Sequence, residues 1–108
     1  MRVYVAGPYT LGDRSENLRR IMAATVEILD AGHEPFCPLL SFFLDLTYPR
    51  PWKDWMRMDL AWLKVAEAFV RISGPSVGAD DERDIAAAHH IPTFYTVDAF
   101  LEWANEVH

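Results

Sequence analysis

Short runs of strand length alternate with longer segments of helical periodicity along this chain. Gly7 and Pro8 close the first run and Pro38 closes the second, so turn residues separate each run from the next segment. Runs of this length between turn residues predict buried strands. The four predicted strands occupy residues 3–6, 33–37, 68–72 and 91–95.

The segments between these runs repeat apolar residues at helical spacing. Leu18, Ile21 and Ile28 fall on one face of a helix, which we expect to begin near Ser15. Gly32 is suited to end this helix, because glycine adopts the left-handed conformation that closes many helices. Further helices are predicted over residues 52–65, 78–90 and 97–107.

Strands that alternate with helices predict an α/β fold with a parallel sheet. We expect one domain over residues 1–108, a small three-layer Rossmann-like or flavodoxin-like sheet of four to five strands flanked by helices. Residues 39–52 are aromatic and then turn-rich, which predicts a short helix or an irregular loop over a pocket. Ligands bind such sheets beyond the carboxyl ends of the strands, here the loops after Ala6 and Ile72.

The composition argues against several classes of protein. The 108 residues carry a net charge of −6 without a basic stripe, so we expect a small molecule and no polymeric nucleic acid as the partner. No segment approaches about 18 consecutive apolar residues, so no membrane span is expected. The single cysteine, Cys37, fits a reducing, cytoplasmic location. His89 and His90 lack metal-ligand spacing, and no metal site is expected.

A carboxylate interrupts the apolar stripe of the predicted helix over residues 52–65. Trp52, Met56, Asp59 and Leu63 follow a 4-3-4 spacing and therefore share one face. Because burial raises the pKa of a carboxyl group, Asp59 would hold or donate a proton there. A structural role is equally compatible with this position, with Asp59 capping a loop or pairing with an arginine.

The segment after the third predicted strand combines small residues with a second carboxylate. Gly74 and Gly78 let the backbone approach a ligand, and Ser76 can cap the next helix or bind a ligand oxygen. Glu82 shares a face with His89 that we expect to point inward, and it lies near the helix start, where the dipole favours an anion. Such a carboxylate suits a glycosyl-transferring nucleophile, although helix capping is the structural alternative.

The first strand and its loop supply further candidates for a binding site. Tyr4 lies in the strand, where an aromatic residue more often belongs to the core. Gly7, Tyr9 and Thr10 come after it, and the glycine permits a tight turn over a ligand. Trp52 is suited to wall a base pocket. No glycine-rich dinucleotide or nucleoside triphosphate fingerprint is present.

Three separated segments resemble the nucleoside 2-deoxyribosyltransferase superfamily, which includes the 2′-deoxynucleoside 5′-phosphate N-hydrolases. They read, in chain order, VYVAGPYT, MDLAWLKVAEAFVRI and GPSVGADDERDIAAAHHIPTF. The resemblance extends from Arg2 to about Tyr95. It implies cleavage of an N-glycosidic bond, no cofactor, and a homodimer or larger homo-oligomer, for which the C-terminal helix and residues 42–55 are the expected interface.

The resemblance also implies roles for three residues. Glu82 in GADDE matches the family's catalytic glutamate, Asp59 in MDL matches its aspartate, and Tyr4 in VYVAG matches its first-strand tyrosine. The implied mechanism is a double displacement. Glu82 attacks the anomeric carbon, Asp59 places or protonates the leaving base, and Tyr4 orients Glu82. Water or another nucleobase then accepts the glycosyl group.

One departure within the resemblance favours a nucleotide substrate. The nucleoside-using transferases tend to carry an aspartate six residues before the glutamate, whereas this chain has Ser76, as the nucleotide hydrolases do. A serine at a helix start can donate a hydrogen bond to a 5′-phosphate. Those hydrolases also carry Ser-x-Arg after the first strand, and here Thr10 or Arg14 would have to substitute for it.

The sequence is compatible with three hypotheses of different classes. The first is an enzyme acting on a (2′-deoxy)nucleoside or its 5′-monophosphate, as an N-hydrolase or a 2-deoxyribosyltransferase. The second is a catalytically silent nucleotide-binding sensor of the same fold. The third is an unrelated α/β protein that acts mainly by oligomerising. Binding without turnover would distinguish the second hypothesis from the first.

Overall fold

A computed structural model describes residues 1–107, in which four parallel strands form one sheet in the order β2-β1-β3-β4. The strands are β1 (Arg2–Ala6), β2 (Glu34–Phe36), β3 (Ala68–Arg71) and β4 (Thr93–Phe94). Tyr4 at the centre of β1 pairs with Phe36 on one side and with Phe69 on the other. The order reverses between β1 and β3, where ligands bind in open parallel sheets.

Helices cover both faces of the sheet. They are α1 (Arg14–Asp30), α2 (Leu39–Thr47), α3 (Trp52–Leu63), α4 (Val77–Ala88) and α5 (Val97–Val107). The helices α1 and α5 pack on one face, whereas α4, with α3 beside it, packs on the other. The predicted three-layer α/β fold with a parallel sheet is therefore confirmed.

Alternation along the central strands divides the apolar core into two halves. Val3 and Val5 belong to the cluster under α1 and α5, while Tyr4 and Ala6 belong to the cluster under α3 and α4. Successive side chains of a strand point to opposite faces, so a strand covered on both faces is apolar throughout. This is why the run over residues 3–6 predicts a central strand correctly.

The ends of α1 show which residues terminate a helix here. α1 begins at Arg14, one residue before the predicted start at Ser15, because Asp13 is the N-cap and its carboxylate accepts a hydrogen bond from the amide of Glu16 at 3.1 Å. The C-terminal end agrees with the prediction. Gly32 has a φ of 93°, and its amide donates to Leu29 while that of His33 donates to Ile28.

Several observed boundaries differ from the predicted ones by a residue or two. The second strand lacks residue 33, whose amide closes α1, and the fourth lacks Ile91, whose amide donates to Ala86 at the end of α4. The fourth helix begins at Val77, one residue before its predicted start. Residues 39–47 form α2, which decides between the helix and the loop that were both compatible with the sequence.

Gly7 occupies a site that leaves no room for a side chain. A Cβ atom there would lie 2.9 Å from Cβ of Ile72 and 3.2 Å from Cγ1 of Ile21. Glycine is required at this position because the loop after β1 packs closely against Ile72 and Ile21. Gly78 differs, because a Cβ added at that position would meet no atom within 4 Å.

This contrast leads to a prediction about stability. Gly7→Ala is expected to lower the free energy of unfolding by about 1–3 kcal/mol, because the neighbours of the new methyl group must shift. Gly78→Ala, the matched control, is expected to be neutral or to gain up to about 1 kcal/mol, since alanine is the better helix former. Urea unfolding curves measure both changes. Equal stability of the two variants would contradict the close packing at Gly7.

Candidate functional site

A cavity of about 350 Å³ opens at the carboxyl ends of β1 and β3. Its volume lies in the range of small-molecule sites, roughly 300–1,000 Å³. The cavity thus lies where the sheet order reverses, as the sequence predicts. Eight of the nine predicted site residues line it: Gly7, Tyr9, Thr10, Trp52, Asp59, Ser76, Gly78 and Glu82.

Tyr4, the ninth predicted residue, lies behind the cavity wall rather than in it. Its side chain is buried, and its ring stacks on Phe69 with centroids 5.7 Å apart. Its hydroxyl group donates a hydrogen bond to Oε2 of Glu82. Burial, and after it the charge of Glu82, raises the pKa of Tyr4, so the phenol stays protonated and remains a donor.

Glu82 extends from α4 toward the cavity with only 6% of its surface exposed. Burial raises the pKa of this carboxyl group to about 7, against the opposing effect of the hydrogen bond from Tyr4. Glu82 does not cap α4, because Ser76 does so by accepting a hydrogen bond from the amide of Ala79 at 3.1 Å. We expected Glu82 and His89 to share an inward face, and this is correct for Glu82 but not for His89, which is exposed.

Asp59 reaches the same cavity from α3 and is 7% exposed. Its Oδ2 lies 3.0 Å from Oγ of Ser41, and its Oδ1 has no hydrogen-bond partner among the described residues. Burial raises the pKa of this carboxyl group to about 6. No arginine of residues 1–107 forms an ion pair with Asp59. The predicted stripe is buried at Leu63 but opens to solvent at Trp52, which is 65% exposed.

The start of α4 offers hydrogen-bond donors to the cavity. Oγ of Ser76 accepts from Ala79, which leaves the hydroxyl proton of Ser76 free to donate. The first amides of a helix have no partner within it, and here they belong to Val77 and Gly78. The cavity is therefore able to bind a ligand oxygen, or an anion, at this end.

Five further cavity residues lie on α2 and α3. They are Ser41, Phe42, Asp45, Trp55 and Met56. Oδ1 of Asp45 accepts hydrogen bonds from the amide of Arg50 at 3.0 Å and from Nε1 of Trp55 at 2.7 Å. These bonds lower the pKa of Asp45, which is therefore ionised at neutral pH. The sequence offers one signal for the pair of Asp45 and Trp55, because they lie on either side of a turn at residues 48–51 that contains two prolines.

Arg71 is a buried charge that sequence reasoning missed. At the end of β3 its guanidinium pairs with Asp80 at 3.0 Å and donates to the carbonyl groups of Ile72 and Gly74. Arg71 thereby holds the loop that leads to Ser76, and its charge acts to lower the pKa of Glu82. The sequence does contain a signal for this residue, because Arg71 is the charged residue that follows the apolar run of the third strand.

Cationic side chains do not line the cavity in the part of the chain that the structure describes. Thr10 does line it, but Arg14 lies instead in a smaller neighbouring pocket with Tyr9 and Phe42. Within residues 1–107, no cluster of three or more histidine, cysteine or carboxylate side chains is arranged to hold a metal ion. None of the described helices combines the length and apolar character that crossing a membrane requires.

A family model described as a domain of unknown function, DUF7768, matches residues 1–96. The chain belongs to this family. A search of proteins with curated function finds no match for it. The assignment to DUF7768 therefore carries no activity with it.

The DUF7768 chain is also similar to a solved structure of 2-deoxyribosyltransferase from the psychrotolerant bacterium Bacillus psychrosaccharolyticus, a biocatalyst for nucleoside synthesis. The TM-score is 0.66 at 20% sequence identity, and the match covers 86% of this chain and 69% of the other. The predicted resemblance to the nucleoside 2-deoxyribosyltransferase superfamily is thus confirmed at the level of the fold.

The buried carboxyl group of Glu82 leads to a prediction about how the stability of this DUF7768 protein depends on pH. The pKa is higher in the folded chain than in the unfolded chain, so the folded state binds more protons between about pH 4.5 and 7. Stability therefore falls as the pH rises through that window. Glu82→Gln is expected to raise the free energy of unfolding by roughly 3 kcal/mol at pH 8 and very little at pH 4.

Denaturant unfolding at the two pH values measures this effect. Glu102→Gln on α5 is the control, because that side chain is exposed and lies outside the cavity. It is expected to change stability by less than about 0.5 kcal/mol at either pH. A destabilised Glu82→Gln protein at pH 8 would contradict the account of a buried, costly carboxylate.

Proposed function

We propose that this protein cleaves the N-glycosidic bond of a nucleoside or a nucleoside 5′-monophosphate through a glycosyl intermediate on Glu82. One observation carries the proposal. Two buried carboxyl groups, on α3 and α4, line one cavity of ligand size, and a tyrosine hydrogen bond holds one of them. Paired carboxyl groups with raised pKa values are suited to nucleophilic and acid catalysis at a sugar.

Glu82 is the nucleophile in this proposal. Tyr4 engages Oε2, which leaves Oε1 to attack the anomeric carbon of the sugar. With a pKa of about 7, a substantial fraction of Glu82 is ionised at neutral pH. As the bond from Oε1 to the anomeric carbon forms, the glycosidic C–N bond breaks and its electron pair remains on the base.

Asp59 is the acid that assists departure of the base. Its raised pKa, about 6, keeps part of it protonated near neutral pH. The proton passes from Asp59 to a nitrogen of the leaving base, which neutralises the electron pair left by C–N cleavage. Water or a second base then attacks the glycosyl ester and releases Glu82.

The walls of the cavity suggest where each part of the substrate binds. The aromatic side chains of Phe42, Trp52 and Trp55 suit a planar base. The Ser76 hydroxyl and the start of α4 suit the 5′ end of the sugar, as a hydroxyl or a phosphate. Further support comes from the nucleoside-handling enzyme that shares this fold.

The expected activity is tested with deoxynucleosides and deoxynucleoside 5′-monophosphates, each with and without a second free base. Chromatography detects a released base, which indicates a hydrolase, or an exchanged nucleoside, which indicates a transferase. We expect turnover by the wild type and a loss on the order of 10⁴-fold in Glu82→Ala, because the nucleophile is removed. Glu102→Ala should keep the wild-type rate.

The outcomes separate the competing functions. Near-wild-type turnover by Glu82→Ala would contradict the covalent mechanism. Ligand binding without turnover would support the sensor. Neither binding nor turnover, in a folded protein, would leave the oligomerising protein as the remaining hypothesis.

Asp45 leads to a further expectation about the base. An ionised carboxylate beside the aromatic wall accepts a hydrogen bond from an exocyclic amino group and repels a carbonyl oxygen. We expect higher kcat/KM for adenine and cytosine substrates than for thymine or uracil. Asp45→Asn should reduce this preference about tenfold. Asp54→Asn is the matched control, since Asp54 lies outside the cavity, and an unchanged preference in Asp45→Asn would contradict the assignment.

A further inference from the structure

If Asp59 were ionised, the hydroxyl group of Ser41 would have to donate to two oxygen atoms at once. Oγ of Ser41 is 2.8 Å from the carbonyl oxygen of Pro38 and 3.0 Å from Oδ2 of Asp59. A carbonyl oxygen only accepts hydrogen bonds, so the contact with Pro38 uses the hydroxyl proton. A serine hydroxyl has one proton, and none is left for Asp59.

Both contacts have the length of ordinary hydrogen bonds between oxygen atoms. The single hydroxyl proton of Ser41 can therefore serve either oxygen, and it cannot serve both at once.

The remaining surroundings of Asp59 do not favour an anion. Its Oδ1 is buried without a donor among the described residues. Three titratable groups of the neighbouring elements interact electrostatically with Asp59, namely Glu82 of α4, Tyr4 of β1 and Tyr9 of the loop after β1. None of these carries a positive charge. A buried carboxylate without donors or a cation is costly, so it takes up a proton.

We propose that Asp59 carries a proton on Oδ2 and donates it to Ser41, whose own proton is held by the carbonyl group of Pro38. Ser41 is thus a positioning residue that keeps Asp59 in its acid form and fixes the direction of its proton. This proton position is a property of the resting protein, and its catalytic meaning rests on the proposed function.

During the reaction Ser41 has a second role, which is to donate a hydrogen bond to Asp59 once Asp59 is ionised. The O–H bond of Asp59 breaks, an N–H bond forms on the leaving base, and Asp59 becomes a carboxylate. Ser41 is then free to turn its proton from Pro38 to Oδ2, because both oxygens lie within hydrogen-bond distance of its Oγ. When the carboxylate regains a proton, Ser41 returns to Pro38.

The test measures the titration of Asp59 without relying on turnover. Carbon-13 carboxyl resonances are followed against pH in protein labelled at aspartate, and Asp59→Asn assigns the signal. All variants are made in a Glu82→Gln background, so that Asp59 titrates without a coupled neighbour. Loss of the acceptor in Ser41→Ala should lower the pKa of Asp59 by about 0.5–1 pH unit, since one hydrogen bond to the acid form is lost.

Ser41→Thr retains the hydroxyl group and is the matched control, with the pKa of Asp59 unchanged. A pKa that rises or stays constant in Ser41→Ala would overturn the proposal, because Ser41 would then donate to the carboxylate or not act on it. If Ser41→Ala does not fold, the infrared spectra of the wild type and Asp59→Asn at pH 5 decide. A difference band of a hydrogen-bonded carboxylic acid supports the proposal, and a band of a free acid or a carboxylate overturns it.

These results are separable from those of the activity assay. A lowered pKa of Asp59 in Ser41→Ala, together with no turnover of any nucleoside or nucleotide, would reject the proposed function and retain the proton assignment. Turnover with a raised pKa would do the reverse. Where both hold, the alkaline limb of the pH–rate profile should move to lower pH in Ser41→Ala by the same amount as the pKa.

Discussion

The parallel pairing of β1 with β3 is the constraint on which the site depends. The register sets Ala6 beside Arg71, so both strands end at the same level of the sheet. Their loops then diverge, one toward α1 and the other toward α4. The cavity is the space that this divergence leaves, and α2 and α3 close its other side.

Burial of acidic groups at this edge opposes the stability of the fold. A carboxyl group in an apolar helix face loses hydration, and for Glu82 the hydrogen bond from Tyr4 and the charge of Arg71 offset only part of that loss. A chain selected for stability alone would place apolar residues at these positions. Natural proteins tolerate such local costs mainly where a site requires them.

Much of the fold could be predicted because strand and helix periods leave clear traces in the sequence. The two-sided burial of β1 and β3 produces unbroken apolar runs, and the small residues after β3 mark the loop next to the cavity. Asp59 could be singled out because it interrupts an apolar face, and Glu82 because it lies near a helix start in a segment that resembles a family motif. Tyr4 could not be separated from a core aromatic by pattern, since it is also part of the core.

The individual cavity residues of α2 could not be identified in this way, although the sequence predicts that the segment lies over a pocket; they are Ser41, Phe42 and Asp45. This helix buries Ser41 and exposes Leu40 and Leu46, which reverses the order that hydrophobicity predicts. The exact start of α1 is hard to predict for a different reason, because a capping side chain such as Asp13 acts through one local hydrogen bond that leaves no periodic trace. The contact of Ser41 with Asp59, by contrast, is decided by the tertiary structure.

The positions of the tryptophans allow binding in the cavity to be detected by fluorescence. Trp52 and Trp55 line its wall, whereas Trp62 stacks on Phe36 and Trp103 packs against Phe94. The indole of Trp55 also donates to an ionised carboxylate, a contact that alters the emission of the ring. A molecule that binds in the cavity changes the surroundings of Trp52 and Trp55, so the intrinsic fluorescence of the unlabelled protein is expected to change with occupancy.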